Sequence, residues 1–163
     1  MPFAEHLLEQ AQHLARREKK RPRQASLRRA VSTAYYALFH LLVSEATRNW
    51  KRASQRDVLA RAFDHGKMRA ACEKKRKELE HSMKTSLSPG DLTIARQLHS
   101  LVDRFPQSQE QRHKADYDNS KQWTRTEVLM EISKVTAAFQ SWKVIRNEDL
   151  AQDFLIYLLV KDR

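Results

Sequence analysis

Apolar positions recur along this chain at steps of three and four over nearly its whole length, the period of helices with one buried face. The densest stretch is 27–46, LRRAVSTAYYALFHLLVSEA. At 100° per residue Ala30, Val31, Ala34, Tyr35, Ala37, Leu38, Leu41 and Leu42 share one broad face, and Phe39 and Val43 lie opposite. A helix apolar on two sides belongs at the centre of a core. One narrow band stays polar, since Arg29, Thr33, Tyr36 and His40 follow one another at steps of four, three and four.

Flanking segments follow the same period. A first helix is predicted over 2–19, with Ala4, Leu7, Leu8, Ala11, Leu14 and Ala15 on one stripe and a proline at its start. It runs into the basic cluster Arg16, Arg17, Lys19, Lys20 and Arg21, which suits a helix C-terminus and leaves a surplus able to face phosphates. Ser26 is the expected cap of the central helix, which puts Arg28 and Arg29 in a first turn whose dipole disfavours cations. Each needs a carboxylate or a phosphate. A short helix over 55–64 turns Val58, Leu59, Ala62 and Phe63 inward and stops at His65–Gly66, with the glycine as C-cap. Residues 67–83, poor in apolar side chains, are expected to be exposed or partly mobile, and 86–91, SLSPGD, to turn.

Asp91 then opens a helix with Ile94, Ala95, Leu98, Leu101, Val102 and Phe105 inward, ended by Pro106. A polar loop over 106–123 follows. Thr124 with Glu127 forms a capping box for a helix that buries Val128, Ile132, Val135, Phe139 and Trp142. Asn147 caps a last helix carrying Leu150, Ala151, Phe154, Leu155, Leu158 and Leu159; Ile156 and Tyr157 make it apolar on further sides, as for a helix that also meets a partner subunit. The expectation is an all-α fold, a single domain over 1–163.

Composition narrows the function classes. Only two glycines and four prolines oppose an all-β fold. The single cysteine, Cys72, excludes an internal disulfide and a cysteine-based zinc finger, and no histidine pair has metal-site spacing, so no metal or other cofactor is expected. The N-terminus lacks the small-residue pattern of a secretory signal, and the longest apolar run, 154–160, is far short of the ~20 residues of a bilayer crossing, so the reading is a cytoplasmic protein with no membrane segment. Lysine and arginine exceed aspartate and glutamate by 31 to 20, a formal charge of +11. That excess suits a polyanion, an acidic protein partner or simply a solvated basic surface.

Two stretches, LRRAVSTAYYALFHLL and RHKADYD, together with His65–Gly66, resemble the signature of the HEPN superfamily, the helical domains named from higher eukaryote and prokaryote nucleotide-binding proteins. The resemblance covers about 26–142, with the last helix, 148–160, outside it. It implies an up-and-down bundle of four to five antiparallel helices with a short extra helix, a homodimer, and a role in prokaryotic toxin-antitoxin or antiviral defence systems. RNA is the implied partner, endoribonuclease activity the common chemistry, and a nucleotidyltransferase the frequent antitoxin. In the ribonuclease branch an arginine, followed four to six residues later by a histidine, holds the scissile phosphate while the histidine moves a proton. Arg112 fits the arginine, but Tyr117 stands where the histidine belongs and the nearby histidine is His113, directly adjacent. A phenol with a pKa near ~10 is a poor base at neutral pH. Arg76 and His81 match the spacing literally, inside the charged middle segment, where chance accounts for them.

The candidates are therefore Arg112, His113 and Tyr117 for catalysis, Arg28, Arg29, His40 and Lys114 for nucleic acid, and Tyr36 and Asp116 as cleft-lining groups. For the band on the central helix two readings stand side by side. Arg29, Tyr36 and His40 face the RHKADYD segment and line one cleft with Arg112, His113, Asp116 and Tyr117; or Tyr36 and His40 are satisfied core polar groups. A non-catalytic dimeric module that docks a nucleotidyltransferase or another protein is the alternative to the RNA-binding reading.

Overall fold

The computed structural model describes residues 2–85 and 87–160. Seven α-helices account for the regular structure of these residues, with no strand among them: α1 (Pro2–Ala15), α2 (Gln24–Thr47), α3 (Ala53–Ala60), α4 (His65–Lys84), α5 (Pro89–Tyr117), α6 (Arg125–Ile145) and α7 (Asp149–Leu159). The all-α expectation holds. No helix among the described residues is long and apolar enough to cross a membrane.

α2 is the hub that its two apolar sides require, packing on α1, α5, α6 and α7. Tyr35, Leu38, Leu41 and Leu42 are shut from solvent together with Phe105 of α5, Trp142 of α6 and Phe154 of α7. Burying a side chain of this size contributes about 1.5–3 kcal/mol each. Contacts along α2 fix the directions of its neighbours. Arg28 and Ser32 meet Ala115 and Asp116 near the C-terminus of α5, so those two helices are antiparallel. Gln24 exchanges hydrogen bonds with the backbone of Trp123, just before α6, while Glu45 meets Trp142 near its end, so α2 and α6 run the same way. α4 also runs with α2, because residues 48–64, with α3, lead the chain back to mid-height. Strict up-and-down alternation is thus broken at α3.

Several local expectations are corrected. α1 stops at Ala15, and Arg23, not Ser26, is the N-cap residue of α2; the Ser26 hydroxyl donates to Glu18 at 2.8 Å. α3 buries nothing, Val58 and Ala62 are exposed, and Leu59 and Phe63 are half-buried. His65–Gly66 begins a helix instead of ending one. Asp64 caps it by accepting from the Lys67 amide at 2.9 Å, and a Cβ at Gly66 would sit 3.3 Å from that carboxylate. The 67–83 segment is ordered helix, fastened by Met68, Cys72 and Leu79.

The largest departure is at Pro106. It lacks the N–H that would bond the Val102 carbonyl, at a cost of ~3 kcal/mol in an isolated helix. Yet α5 runs through it, because Leu101, Val102 and Phe105 before it and Ser108 and Ala115 after it bury along one stripe. Most of the expected loop, with RHKADYD up to Tyr117, is therefore the last three turns of α5. Beyond it, the Thr124–Glu127 capping box forms as expected. Asn147 instead accepts from Arg48, leaving Glu148 as the N-cap residue of α7 without a side-chain bond.

Candidate functional site

Because α5 continues past Pro106, steps of three and four carry Phe105, Gln109, Arg112 and Asp116 up one face, toward Ser32, Tyr35, Tyr36 and Phe39 of α2. His65, in the first turn of α4, closes the third side. The Tyr35 hydroxyl and His65 Nδ1 are 2.6 Å apart. Burial raises the Tyr35 pKa, so the phenol keeps its proton and donates it. The His65 pKa is lowered, first by burial, then by the Arg112 guanidinium and to a small extent by His40, against a small opposing effect of Asp64. At neutral pH the ring is uncharged and, with Nδ1 accepting from Tyr35, carries its proton on Nε2. Phe39 stacks on it at 4.1 Å between centroids, Tyr36 meets it edge-on at 6.0 Å, and Gln109 donates to its carbonyl at 3.3 Å.

Arg112 lies over this aromatic wall, its guanidinium carbon 5.2 Å from the Tyr35 ring and 5.8 Å from that of Tyr36. Its side chain retains 16% of its exposure. The nearest carboxylate oxygen, of Asp116, is 3.6 Å away and also accepts from Ser32 at 3.3 Å. Arg112 Nε and Gln109 Oε1 are shut from solvent without a hydrogen-bond partner. A guanidinium has five N–H donors in a planar fork, and here one distant carboxylate faces them. What the arrangement offers is an incompletely neutralised cation on aromatic faces, beside a neutral imidazole: a seat for an anionic oxygen.

The sequence candidates divide around this seat. Arg112, Tyr36 and Asp116 come together. His113 and Tyr117 do not join them, lying about 100° and 140° around the α5 axis; their rings pair with each other at 5.0 Å, and both residues are exposed. Lys114 is exposed too, 4.0 Å from Glu110. Arg28 is met by backbone carbonyls. Its guanidinium donates to the carbonyls of Ala115, Asp118 and Lys121 at 3.0, 2.9 and 2.5 Å, so it is a strut that ties the end of α5 and the following loop to α2. Arg29 faces solvent. His40 lies behind the seat, between Phe3 at 4.9 Å and Phe39 at 5.3 Å, its pKa lowered by burial. Arg76 and His81 stay apart from the seat, with Arg76 spent on Glu80. No group of three or more His, Cys, Asp or Glu residues able to hold a metal ion occurs among the described residues.

Tyr35, His65 and Gln109 are the members that sequence reasoning passed over. Tyr35 reads as a core aromatic, which it is, and His65 as a helix end. The one available signal was the His–Gly pair itself.

A second basic feature occupies the end of the bundle where α1 leads into α2. Residues 16–23 hold six cations and one carboxylate, Glu18. The turn is fixed from below by Arg125, which donates to the carbonyls of Ala15 at 3.0 Å, Lys19 at 3.5 Å and Glu18. Ser26 to Tyr36 spans about 15 Å of α2, so this turn and Arg112 are within the reach of a few nucleotides. Compared with protein-family models, curated proteins and solved structures, the chain matches none.

Proposed function

We propose that this protein binds single-stranded RNA, with a backbone phosphate seated on Arg112 and the strand continuing toward the basic turn at 16–23. The observation that carries the reading is the state of Arg112: a half-buried guanidinium on two tyrosine rings, with a buried Nε that nothing accepts and one carboxylate at 3.6 Å. By contrast, Arg146 meets its carboxylate at 2.7 Å, so Arg112 keeps donors that a further anion can take. The formal charge of +11 supplies the long-range attraction, and counterion release makes it salt-dependent. The likeness of the two sequence stretches to HEPN domains supports the same partner, and it supplies the biological setting of a prokaryotic toxin-antitoxin or defence module.

Hydrolysis is a separate matter. The motif pairing of the ribonuclease branch is not reproduced by Arg112 with His113 or Tyr117, whose rings face away. A side chain that takes a proton from a ribose hydroxyl next to Arg112 would be His65, uncharged at neutral pH and oriented by Tyr35. The test is fluorescence anisotropy with a labelled single-stranded RNA at low salt, with the same samples run on a denaturing gel. Binding that weakens at least about tenfold in Arg112→Ala is the expected result. Equal affinity of the two proteins overturns the assignment of the seat. On the gel, cleavage abolished by His65→Ala and retained by His113→Ala identifies an enzyme; intact RNA with every variant leaves a binding protein.

The apolar residues left exposed on α7 favour a protein-docking role beside this one.

A further inference from the structure

His113 and Tyr117 stand outside the Arg112 seat and form a feature of their own. On a helical wheel centred on Arg112 they lie about 100° and 140° around α5. That is the side which meets α4 lower down, where Gln109, at about 60°, donates to the His65 carbonyl and His99, at about 140°, meets Glu80. α4 begins at His65, beside Gln109. Past that level α4 no longer covers this side of α5, and both residues are exposed, Tyr117 to 66%. Their rings are 5.0 Å apart between centroids and tilted by 53°. As an i, i+4 pair they restrict each other's rotamers, and the tilt keeps either ring from covering the face of the other. His65 shows the opposite case, with Phe39 stacked on it at 23° and 4.1 Å. The charges beside Tyr117 are already answered: Lys114 and Glu110 lie 4.0 Å apart, and Asp118 accepts from the Ser120 hydroxyl at 2.6 Å. What this end of α5 presents is therefore a braced, open ring face.

Every nucleobase has a π face, and an unpaired one stacks on an exposed aromatic ring whatever its sequence. Tyr117 lies about 7.5 Å beyond Arg112 along the α5 axis, so a phosphate on Arg112 and a base on Tyr117 can belong to one nucleotide or to neighbours. We infer that the Tyr117 ring, braced by His113, is the stacking platform for an unpaired base of the strand whose phosphate sits on Arg112. This rests on the RNA-binding reading and adds to it a contact with the base. Arg112 holds the strand by charge, which a duplex offers equally. A base paired and stacked within a duplex has no face to give, so the platform is what selects a single strand.

The experiment compares two labelled strands of equal length and charge by fluorescence anisotropy at low salt: oligo(A) of about eight nucleotides, and a ribose-phosphate strand without bases. Circular dichroism confirms that every variant is folded. The wild type is expected to bind oligo(A) at least about fivefold more tightly than the base-free strand. Tyr117→Ala, at an exposed position, should close that gap, and Tyr117→Trp should keep it. Arg112→Ala should weaken both strands and leave their ratio within about twofold of wild type. A wild type whose Arg112-dependent affinity is the same for both strands overturns the platform and leaves the seat standing. So does a Tyr117→Ala variant that keeps the wild-type ratio. Failure of the wild type to bind either strand overturns seat and platform together.

Discussion

Two arginines sit at different heights of this bundle, and their surroundings show what separates a lock from a seat. Arg146, at the end of α6, grips a fully buried carboxylate: its Nη2 donates to Glu45 Oε1 at 2.7 Å and its Nε to Oε2 at 3.1 Å. The Trp142 indole adds a third bond at 2.8 Å, and Arg48 a further cation at 3.7 Å. The geometry is bidentate and complete, which is what makes a buried ion pair tolerable. Arg112 has aromatic faces, a distant Asp116 and an unanswered Nε. The first arrangement has no capacity left and holds α2 to α6. The second keeps its positive charge available.

The comparison is broken most forcefully at the lock. Glu45→Ala strands the Trp142 donor and leaves two arginines facing a cavity, and removal of one member of a buried pair costs about 3–5 kcal/mol. Urea unfolding should show that loss as a lower midpoint at unchanged slope. RNA affinity of the fraction still folded should be that of wild type. A loss below about 1 kcal/mol would mean that Glu45 does not lock the two helices.

At the seat the ranking inverts. Arg112→Ala should lower RNA affinity at least about tenfold while costing under about 1 kcal/mol of stability, since the ion pair removed is long and its geometry poor. Arg146→Ala is the matched control, with stability lost and affinity kept. If both arginines moved stability and left binding alone, lock and seat would be one kind of site.

How much of this could be read in advance follows from what determines each part. The hydrophobic period predicts α2, α6 and the buried stripe of α5, because those faces are long and regular. The capping box at Thr124 and Glu127 was legible because its chemistry is local. Pro106 misleads for the converse reason. Its local cost is real, and only the packing of Phe105, Ser108 and Ala115 outweighs it. That one misreading hid the seat, for a loop after Pro106 gives no register for Arg112, whereas a continuous α5 puts Gln109, Arg112 and Asp116 on one face and turns His113 and Tyr117 off it. His65 was out of reach for another reason. It approaches Tyr35 across 30 residues of sequence, and no spacing rule announces such a contact. The position of Arg28 in the first turn of α2 predicts an anion beside it, and three backbone carbonyls meet its charge instead, an answer invisible without the end of α5 beside it.

That loop offers a smaller test. Thr124→Ala removes the acceptor of the Glu127 amide and should cost about 1 kcal/mol. Because Arg28 holds the same loop from α2, the damage should stay local. The thermal midpoint should fall while Arg112-dependent RNA affinity changes less than about twofold. A larger loss of affinity would show that the cap, and not the strut, positions the end of α5.

The gentlest probe is pH, and it separates the two regions by sign. The pKa values of His65 and His40 are lowered in the folded protein from 6.5. Above pH 6.5 both are neutral whether the chain is folded or not, and their contribution to stability is complete. As pH falls below 6.5 the unfolded chain takes up these protons before the native one does, so stability declines toward the lowered native values. The lock contains no histidine. The thermal midpoint should therefore drop between pH 7.5 and 5.5, with a shallower dependence in His65→Gln. Groups facing His65 that bear on this are Tyr35, Arg112, Asp64 and His40, and Asp64, itself lowered from 3.8, stays ionised throughout that range. RNA affinity should move the other way. A phosphate on Arg112 offsets the charge that disfavours His65 protonation, so the bound state takes up the proton more readily and binding tightens toward pH 5.5. Stability and affinity that fell together with acid would place the phosphate away from His65.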